Sequence, residues 1–122
     1  MAALSFSDWR QGTFIHTFCP VVDYRSLPRH PFHPKAPEMS AHVPMVFGTC
    51  RNESILKVGL RALSEDEALG RLVEMGISSE DSIRLLGAFR ATRPAASPRE
   101  ILSAIATELH YRRDAILMAE RK

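Results

Sequence analysis

One acidic residue lies where a catalytic group would be expected. The segment VPMVFGTCRNES (residues 43–54) runs from apolar residues through Gly48 into charge, and Glu53 lies just past the apolar run. In open α/β sheets, ligands and catalytic groups gather beyond the carboxyl ends of strands. Glu53 is therefore a candidate acid–base or orienting carboxylate. By position alone, a solvated loop residue is the more common alternative.

Three histidines suggest a metal site, which requires several ligands at suitable spacing. His30, His33 and His42 lie among prolines, without helical i, i+4 spacing and without a nearby pair of acids. We therefore interpret them as loop histidines and expect no metal site there.

The two cysteines, Cys19 and Cys50, are far apart and form no CxxC pair. The two cysteines form a single disulfide, or they remain two partly buried thiols in a reducing compartment. We favour the second interpretation. Cys50 adjoins Arg51, and a neighbouring cation lowers the pKa of a thiol. Because no histidine partner is assigned, we interpret Cys50 as an incidental half-buried residue.

Length and composition predict an ordinary soluble domain. The chain has 122 residues, 45% hydrophobic and 25% charged, with 16 Lys and Arg against 14 Asp and Glu. This charge balance does not favour nucleic acid as a partner. No apolar run approaches the roughly 18 residues of a membrane span. The N-terminus lacks a basic start followed by an apolar core, so we expect a cytoplasmic protein with no membrane partner.

The first half of the chain predicts extended structure. Residues 43–49 are apolar without alternation, which is typical of a strand buried on both faces. Residues 14–28 are rich in Thr, Phe, Ile and Val and contain a turn-like Asp-Tyr-Arg-Ser, which predicts a hairpin or extended segment. Three prolines between residues 31 and 37 predict a loop, with a short helical turn within 36–42.

The second half predicts three amphipathic helices, the first over residues 65–75. Ser64 and Glu67 have the spacing of a capping box, and Gly76 is a plausible stop. Its apolar stripe consists of Leu69, Leu72 and Val73.

The other two helices are predicted over residues 80–91 and 98–120. Ser78 or Ser79 opens the first of them, and the Ser97-Pro98-x-Glu100 pattern opens the second. The expected apolar faces are Ile83, Leu86 and Phe89 on the former, and Ile101, Ile105, Leu109, Ile116 and Ala119 on the latter.

These elements do not complete a sheet, because one strand of the buried type leaves both its edges unpaired. The expected fold class is therefore α/β, as part of a larger structure. A single partial region would span residues 1–122, with an extended part in 1–54, including the strand 43–49, and a helical part in 64–122.

Three segments, in order, resemble the type B carboxylesterase family of serine esterases, which includes the para-nitrobenzyl esterases and the cholinesterases. FCPVVDYRSLP is similar to Phe-x-Pro-Val-Val-Asp-Gly followed by Leu-Pro. VPMVFGTCRNES is similar to Val-Pro, two hydrophobic residues and Gly-Thr-x-Arg-Asp-Glu-Gly. ILSAIATELHYRRDAILMAE is similar to a stretch in which Thr-Asp precedes an aromatic residue and Arg, here Tyr111 and Arg112, before a helix ending in Ala-Glu.

The resemblance implies an α/β-hydrolase fold and hydrolysis of carboxylic esters through an acyl-enzyme, with no cofactor. It places Glu53 as the acid of a Ser-His-Glu triad, which would accept the N–H of the catalytic histidine and stabilise the imidazolium. An ester would be the substrate only of the intact enzyme.

The chain departs from the family pattern at several positions. In the first segment, Tyr24 replaces the Gly after Val-Val-Asp. In the second, Asn52 replaces the Asp before the acid and Ser54 replaces the Gly after it. In the third, Glu108 replaces the Asp. No Gly-x-Ser-x-Gly nucleophile motif occurs in the chain, and His110 does not match the family's catalytic histidine. We therefore expect the chain alone to hydrolyse no ester.

Three functions follow from these patterns. The chain is a carboxylesterase fragment, a non-catalytic helical module that acts by binding, or a piece that complements separately encoded parts carrying Ser and His. Missing enzyme segments or a partner would pair with residues 43–49. In the helical module, the first 60 residues would lie over the helices or pair with a partner's sheet.

Two further patterns in the sequence each allow two interpretations. The first pattern is a set of N-terminal aromatic residues, Phe6, Trp9, Phe14 and Phe18. They form either a partner-binding surface or apolar positions whose covering elements are missing, and we favour the second interpretation. The basic amphipathic stretch over residues 108–122 suggests a membrane surface or partner groove. Its interleaved acids favour a solvated helix face.

Overall fold

The computed structural model describes residues 22–122, apart from the side chains of residues 56 and 57. These residues belong to two compact units. The helical unit comprises Met45–Glu120, and the proline-rich unit comprises residues 22–44 together with Arg121–Lys122.

The described chain is helical in its regular structure. A 3₁₀ turn at Glu38–Ser40 confirms the short helical turn expected within residues 36–42. The helices that follow are α1 (Ile55–Val58), α2 (Glu65–Glu74), α3 (Ser79–Thr92), α4 (Pro98–Thr107), a π turn (Glu108–Arg112) and α5 (Arg113–Arg121).

Local signals define both ends of α2. The Glu67 N–H donates to Ser64 Oγ at 3.1 Å, and the Ser64 N–H donates to Glu67 Oε2 at 2.8 Å, which completes the expected capping box. At the other end Gly76 has φ +87°, in the left-handed region that favours glycine. The Gly76 N–H donates to the Val73 carbonyl and the Ile77 N–H to the Leu72 carbonyl, the Schellman pattern of a helix terminus.

The same chemistry starts α3 and α4. Ser78 caps α3 by accepting the Asp81 N–H, which decides between the two serines that the sequence left open. Ser97 and Glu100 form the second capping box, with Pro98 in the first turn of α4. Both helix starts were predicted within one residue.

The core of the helical unit lies where α2, α3 and α4 contact one another, and α1 packs on α4. Helix α4 is the central element, because every residue from 101 to 107 is buried. A helix that is apolar on all sides is expected to be covered on all sides. The buried aliphatic cluster consists of Leu63, Ala68, Leu72, Leu86, Ile101, Leu102 and Ile105.

The predicted α/β fold with a buried strand at residues 43–49 is wrong for the described chain. Residues 22–122 contain no strand, and residues 44–50 adopt no regular structure. Met45 is 46% exposed and Val46 is 100% exposed. An apolar extended run can be buried only if a neighbouring strand pairs with its backbone N–H and C=O groups. The rest of the described chain forms helices, which cannot pair in this way.

The hairpin expected over residues 14–28 lies partly outside the described residues. Within residues 22–28 the chain forms a turn, in which Asp23 Oδ1 accepts the N–H groups of Arg25, Ser26 and Leu27 at 2.8–3.0 Å. The turn-like Asp-Tyr-Arg-Ser is therefore confirmed as a turn.

The three expected apolar faces are only partly correct. Val73 of α2 is 42% exposed. Ile83 of α3 is 60% exposed, while Ser82 is buried in its place. The predicted helix over 98–120 is interrupted by the π turn, where the Arg113 N–H donates to the Glu108 carbonyl, five residues earlier. The turn breaks the 3.6-residue period, so Ile105 is buried whereas Ile116 remains half exposed.

Several hydrogen bonds connect the described residues of the proline-rich unit. The Ala36 N–H donates to the Arg121 carbonyl at 2.8 Å, and Arg121 Nη1 donates to the Phe32 carbonyl at 3.0 Å. Lys122 Nζ donates to the carbonyls of Ser40 and Ala41. Ala36 is the buried apolar residue among residues 22–44.

Candidate functional site

Glu53 lies in a turn of residues 51–54 that leads into α1. Its side chain is half-buried, and Oε1 accepts the N–H of Cys50 at 2.8 Å. The carboxylate therefore folds back on the segment that precedes it. This hydrogen bond restricts the side chain and leaves Oε2 without a hydrogen-bond partner among residues 22–122.

The residue after the acid anchors this turn to the central helix. Ser54 is fully buried, and its N–H donates to Thr107 Oγ1 at 3.1 Å. Thr107 Oγ1 in turn donates to the Ser103 carbonyl at 2.8 Å. The Glu53 turn is thus fixed to the C-terminal end of α4 through one buried threonine.

The described residues bring no imidazole to Glu53. Its one hydrogen bond in this part of the chain comes from the Cys50 amide, and no ion pair between Glu53 and a histidine is present there. A triad acid acts by accepting the N–H of a histidine. The described chain therefore holds Glu53 without the imidazole that the role of triad acid would require.

A small cleft brings together three residue types of a serine hydrolase. Its volume is about 200 Å³, and Ser54, Glu74 and His110 line it, beside Val58, Arg71, Met75, Leu102 and Ala106. Ser54 Oγ is buried and has no hydrogen-bond partner among the described residues. A nucleophilic serine requires a base within hydrogen-bonding distance, so this arrangement is not a Ser–His pair.

The other buried serines are no better placed. Ser82 Oγ and Ser103 Oγ also lack hydrogen-bond partners in the described chain, and both side chains are at most 1% exposed. Within residues 22–122, no buried serine hydroxyl is bonded to a base.

A larger cleft of about 550 Å³ lies elsewhere in the helical unit. It carries three arginines, Arg51, Arg93 and Arg112, and one acid, Glu108. Arg112 Nη1 donates to Glu108 Oε1 at 3.0 Å. Sequence reasoning missed this cleft, because its three arginines are some twenty to forty positions apart along the chain.

Cys50 also lines the larger cleft, and its free thiol is exposed. The expectation of a half-buried Cys50 is therefore wrong. The backbone of residues 44–50 has no regular structure, and Thr49 and Cys50 are both exposed. Several residues interpreted from the sequence lie outside the described residues, namely Phe6, Trp9, Phe14, Phe18 and Cys19.

The loop histidines lie in irregular backbone of the proline-rich unit. His30, His33 and His42 are exposed, and His30 Nδ1 accepts the Phe32 N–H at 3.3 Å. Within the described part of the chain, no group of three or more His, Cys, Asp or Glu residues has the geometry to hold a metal ion.

The acids with perturbed pKa values lie outside both clefts. The N–H groups of Leu27 and Arg25 hold the pKa of Asp23 at about 2. The Ser64 N–H, followed by Arg61, lowers the pKa of Glu67. The Ser97 hydroxyl and then the Ser97 N–H lower the pKa of Glu100. Each of these shifts reports a turn or a helix cap, in which the charged form accepts hydrogen bonds.

Comparison with known proteins gave no relationship: no protein-family model matches the chain, and no curated protein or solved structure shows a significant match. Among residues 22–122, no helix combines the length and the apolar character needed to cross a membrane.

Proposed function

We propose that this chain is the acid-bearing helical portion of a type B carboxylesterase and hydrolyses no ester by itself. The observation that carries the proposal is the state of Glu53. Its carboxylate is restrained by the Cys50 amide on a turn anchored at Thr107, yet it lacks an imidazole partner within residues 22–122. A positioned acid without its base fits a part of a triad whose other members come from elsewhere.

The backbone at Tyr24 supports the proposal. Tyr24 occupies the position at which the first matching segment of the family has glycine, and its φ is +59°. A bulky residue seldom adopts this left-handed conformation, which costs little only for glycine. The turn therefore has the backbone that a glycine would favour, although the residue has changed.

The backbone at Ser54 removes one difficulty. Ser54 replaces the glycine that follows the acid in the family, and its φ and ψ are −88° and 5°. Any residue adopts a negative φ of this size, so the substitution requires no strained conformation. Loss of this glycine is compatible with the acid's position.

The partner in this proposal binds the apolar segment 43–49. Met45 and Val46 are exposed, and none of Met45, Val46, Gly48 and Thr49 forms a backbone hydrogen bond within the described chain. Unpaired backbone and exposed apolar side chains in one segment are what an added chain uses when it joins the edge of a sheet. The missing enzyme segments would supply that edge.

The test has two parts. The purified chain should give no turnover of 4-nitrophenyl acetate above the buffer rate. A chimaera, in which a type B carboxylesterase carries this chain's residues 14–120 in place of its own matching region, should be active with Glu53. Glu53→Gln should lower its kcat by about 10⁴-fold, because a neutral amide cannot stabilise the imidazolium.

The matched control is Glu80→Gln, which changes an exposed glutamate in the first turn of α3. This variant should leave the activity of the chimaera unchanged. Matching circular dichroism spectra of the parent chimaera and of both variants would show that neither substitution acts through unfolding. Equal turnover by the parent chimaera and by its Glu53→Gln variant would contradict the proposal.

A non-catalytic binding module is the second candidate. The observation that favours it is the core of the helical unit, in which α2, α3 and α4 bury their own aliphatic cluster. A self-contained core predicts a soluble chain with one cooperative thermal transition. A broad transition with aggregation would instead favour the fragment.

A further inference from the structure

The arginine-lined cleft of the helical unit is the larger of the two clefts described above. It has a volume of about 550 Å³, within the range typical of small-molecule sites. It is lined by residues 47–51, by Arg93 just after α3, and by residues of α4, the π turn and α5. All of its lining residues belong to Met45–Glu120.

The charge of this cleft is not balanced. Glu108 is its one acid, and that carboxylate is already paired with Arg112 at 3.0 Å. Within residues 22–122, neither Arg51 nor Arg93 forms an ion pair with a carboxylate. Two guanidinium groups in the cleft therefore remain without a counter-charge from the described chain.

Two of the arginines are held in place by their neighbours. The Arg93 guanidinium lies 5.1 Å from the centroid of the Phe89 ring, and its Nη1 donates to Thr92 Oγ1 at 3.1 Å. Arg112 is held by Glu108 within the π turn, a distortion that occurs frequently at functional sites. Restrained guanidinium groups lose less conformational entropy on binding an anion.

One part of the cleft wall is apolar, beside the polar Thr49, Cys50 and Thr107. The apolar lining residues are Phe47, Ala104, Ala115, Ile116 and Ala119. Ile116 is half exposed there, so its side chain remains available to cover a ligand. A fully solvated inorganic anion would leave this wall unused.

We propose that this cleft binds an organic carboxylate with an aliphatic body. The carboxylate head lies between Arg51 and Arg93, where the planar guanidinium groups match its two oxygens. The aliphatic body packs on Phe47, Ala104 and Ile116. The proposal is independent of the esterase relationship, because it requires binding and no reaction.

The test is a titration of the ¹⁵N-labelled full chain with decanoate, followed by amide chemical shifts. Decanoate should shift residues that line the cleft and should saturate. Decanol, which keeps the aliphatic chain without the charge, and inorganic phosphate, which keeps a charge without the chain, should each bind at least about tenfold more weakly. Binding of decanol or of phosphate as tight as that of decanoate would overturn the proposal.

Variants separate the cleft from general surface charge. Arg51→Gln should weaken decanoate binding by about tenfold, as expected when one charge-assisted hydrogen-bonding partner is removed. Arg84→Gln is the matched control, because Arg84 is an exposed arginine paired with Asp81 outside the cleft. Equal effects of the two substitutions, or no saturable shift with decanoate, would contradict the proposal. An unchanged far-UV circular dichroism spectrum excludes unfolding of the variants.

Discussion

Two apolar stretches of the helical unit differ in their exposure to solvent. Residues 101–107 of α4 are buried on every side, whereas Met45 and Val46 are exposed although their sequence is as apolar. The difference lies in their neighbours. Helix α4 satisfies its own backbone hydrogen bonds and packs against α1, α2 and α3. The coil at residues 44–50 finds no strand within residues 22–122 to pair with.

This contrast shows what an apolar pattern predicts. A pattern indicates that a segment is suited to burial, but the partner that buries it must come from the fold. In α4 that partner is encoded a few tens of residues away. For residues 43–49 we propose that it is encoded on other segments of an esterase, which explains how one chain contains both stretches.

The largest effect should come from truncating one side chain in each environment. Leu72 is 0% exposed in the core, so Leu72→Ala should lower the free energy of unfolding by about 2–5 kcal/mol. Val46 is fully exposed, so Val46→Ala should change it by less than about 0.5 kcal/mol. Urea denaturation followed by circular dichroism measures both. A loss at Val46 as large as that at Leu72 would show that residue 46 is buried in the free chain.

A smaller effect on the free energy of unfolding should come from replacing Gly70, within α2, and Gly76, just after its end. Gly76→Ala places a side chain at φ +87° and should cost about 1–2 kcal/mol. Gly70 lies within the helix, and an added Cβ there meets no atom within 4 Å. Gly70→Ala should therefore stabilise the chain by about 0.5–1 kcal/mol. The same denaturation experiment checks the pair, and equal signs would contradict the assigned end of α2.

The sequence could predict the features that local chemistry determines. Ser64 and Ser97 start helices because their hydroxyls accept amides three residues later, an interaction contained within one turn. The state of residues 43–49 depends on a partner, so no local pattern could determine it. The larger cleft was unpredictable because Arg51 and Arg93 come to line one cleft only in the folded chain. Glu53 was predicted as a site residue, and its role as triad acid stays a prediction.

The smallest effect concerns pH and, within the helical unit, comes from the two capping boxes. Hydrogen bonds from Ser64 and Ser97 lower the pKa values of Glu67 and Glu100 in the folded chain. An acid with a lowered folded pKa contributes stability above its unfolded pKa, and that contribution is lost as pH falls through the folded pKa. Stability should therefore fall on acidification below about pH 4.5, the ordinary glutamate value. Glu100→Gln should flatten this dependence, and an unchanged slope would show that the cap is not charged.

Amide hydrogen exchange, read residue by residue by NMR, tests the central contrast most directly. The account predicts that Met45, Val46, Gly48 and Thr49 exchange at nearly the rate of an unfolded chain, since their N–H groups have no acceptor within residues 22–122. The amides of Ile105 and Ala106 in α4 should exchange at least about 10²-fold more slowly. Protection of residues 45–49 equal to that of α4 would mean that the free chain already pairs this segment, and would contradict the need for a partner.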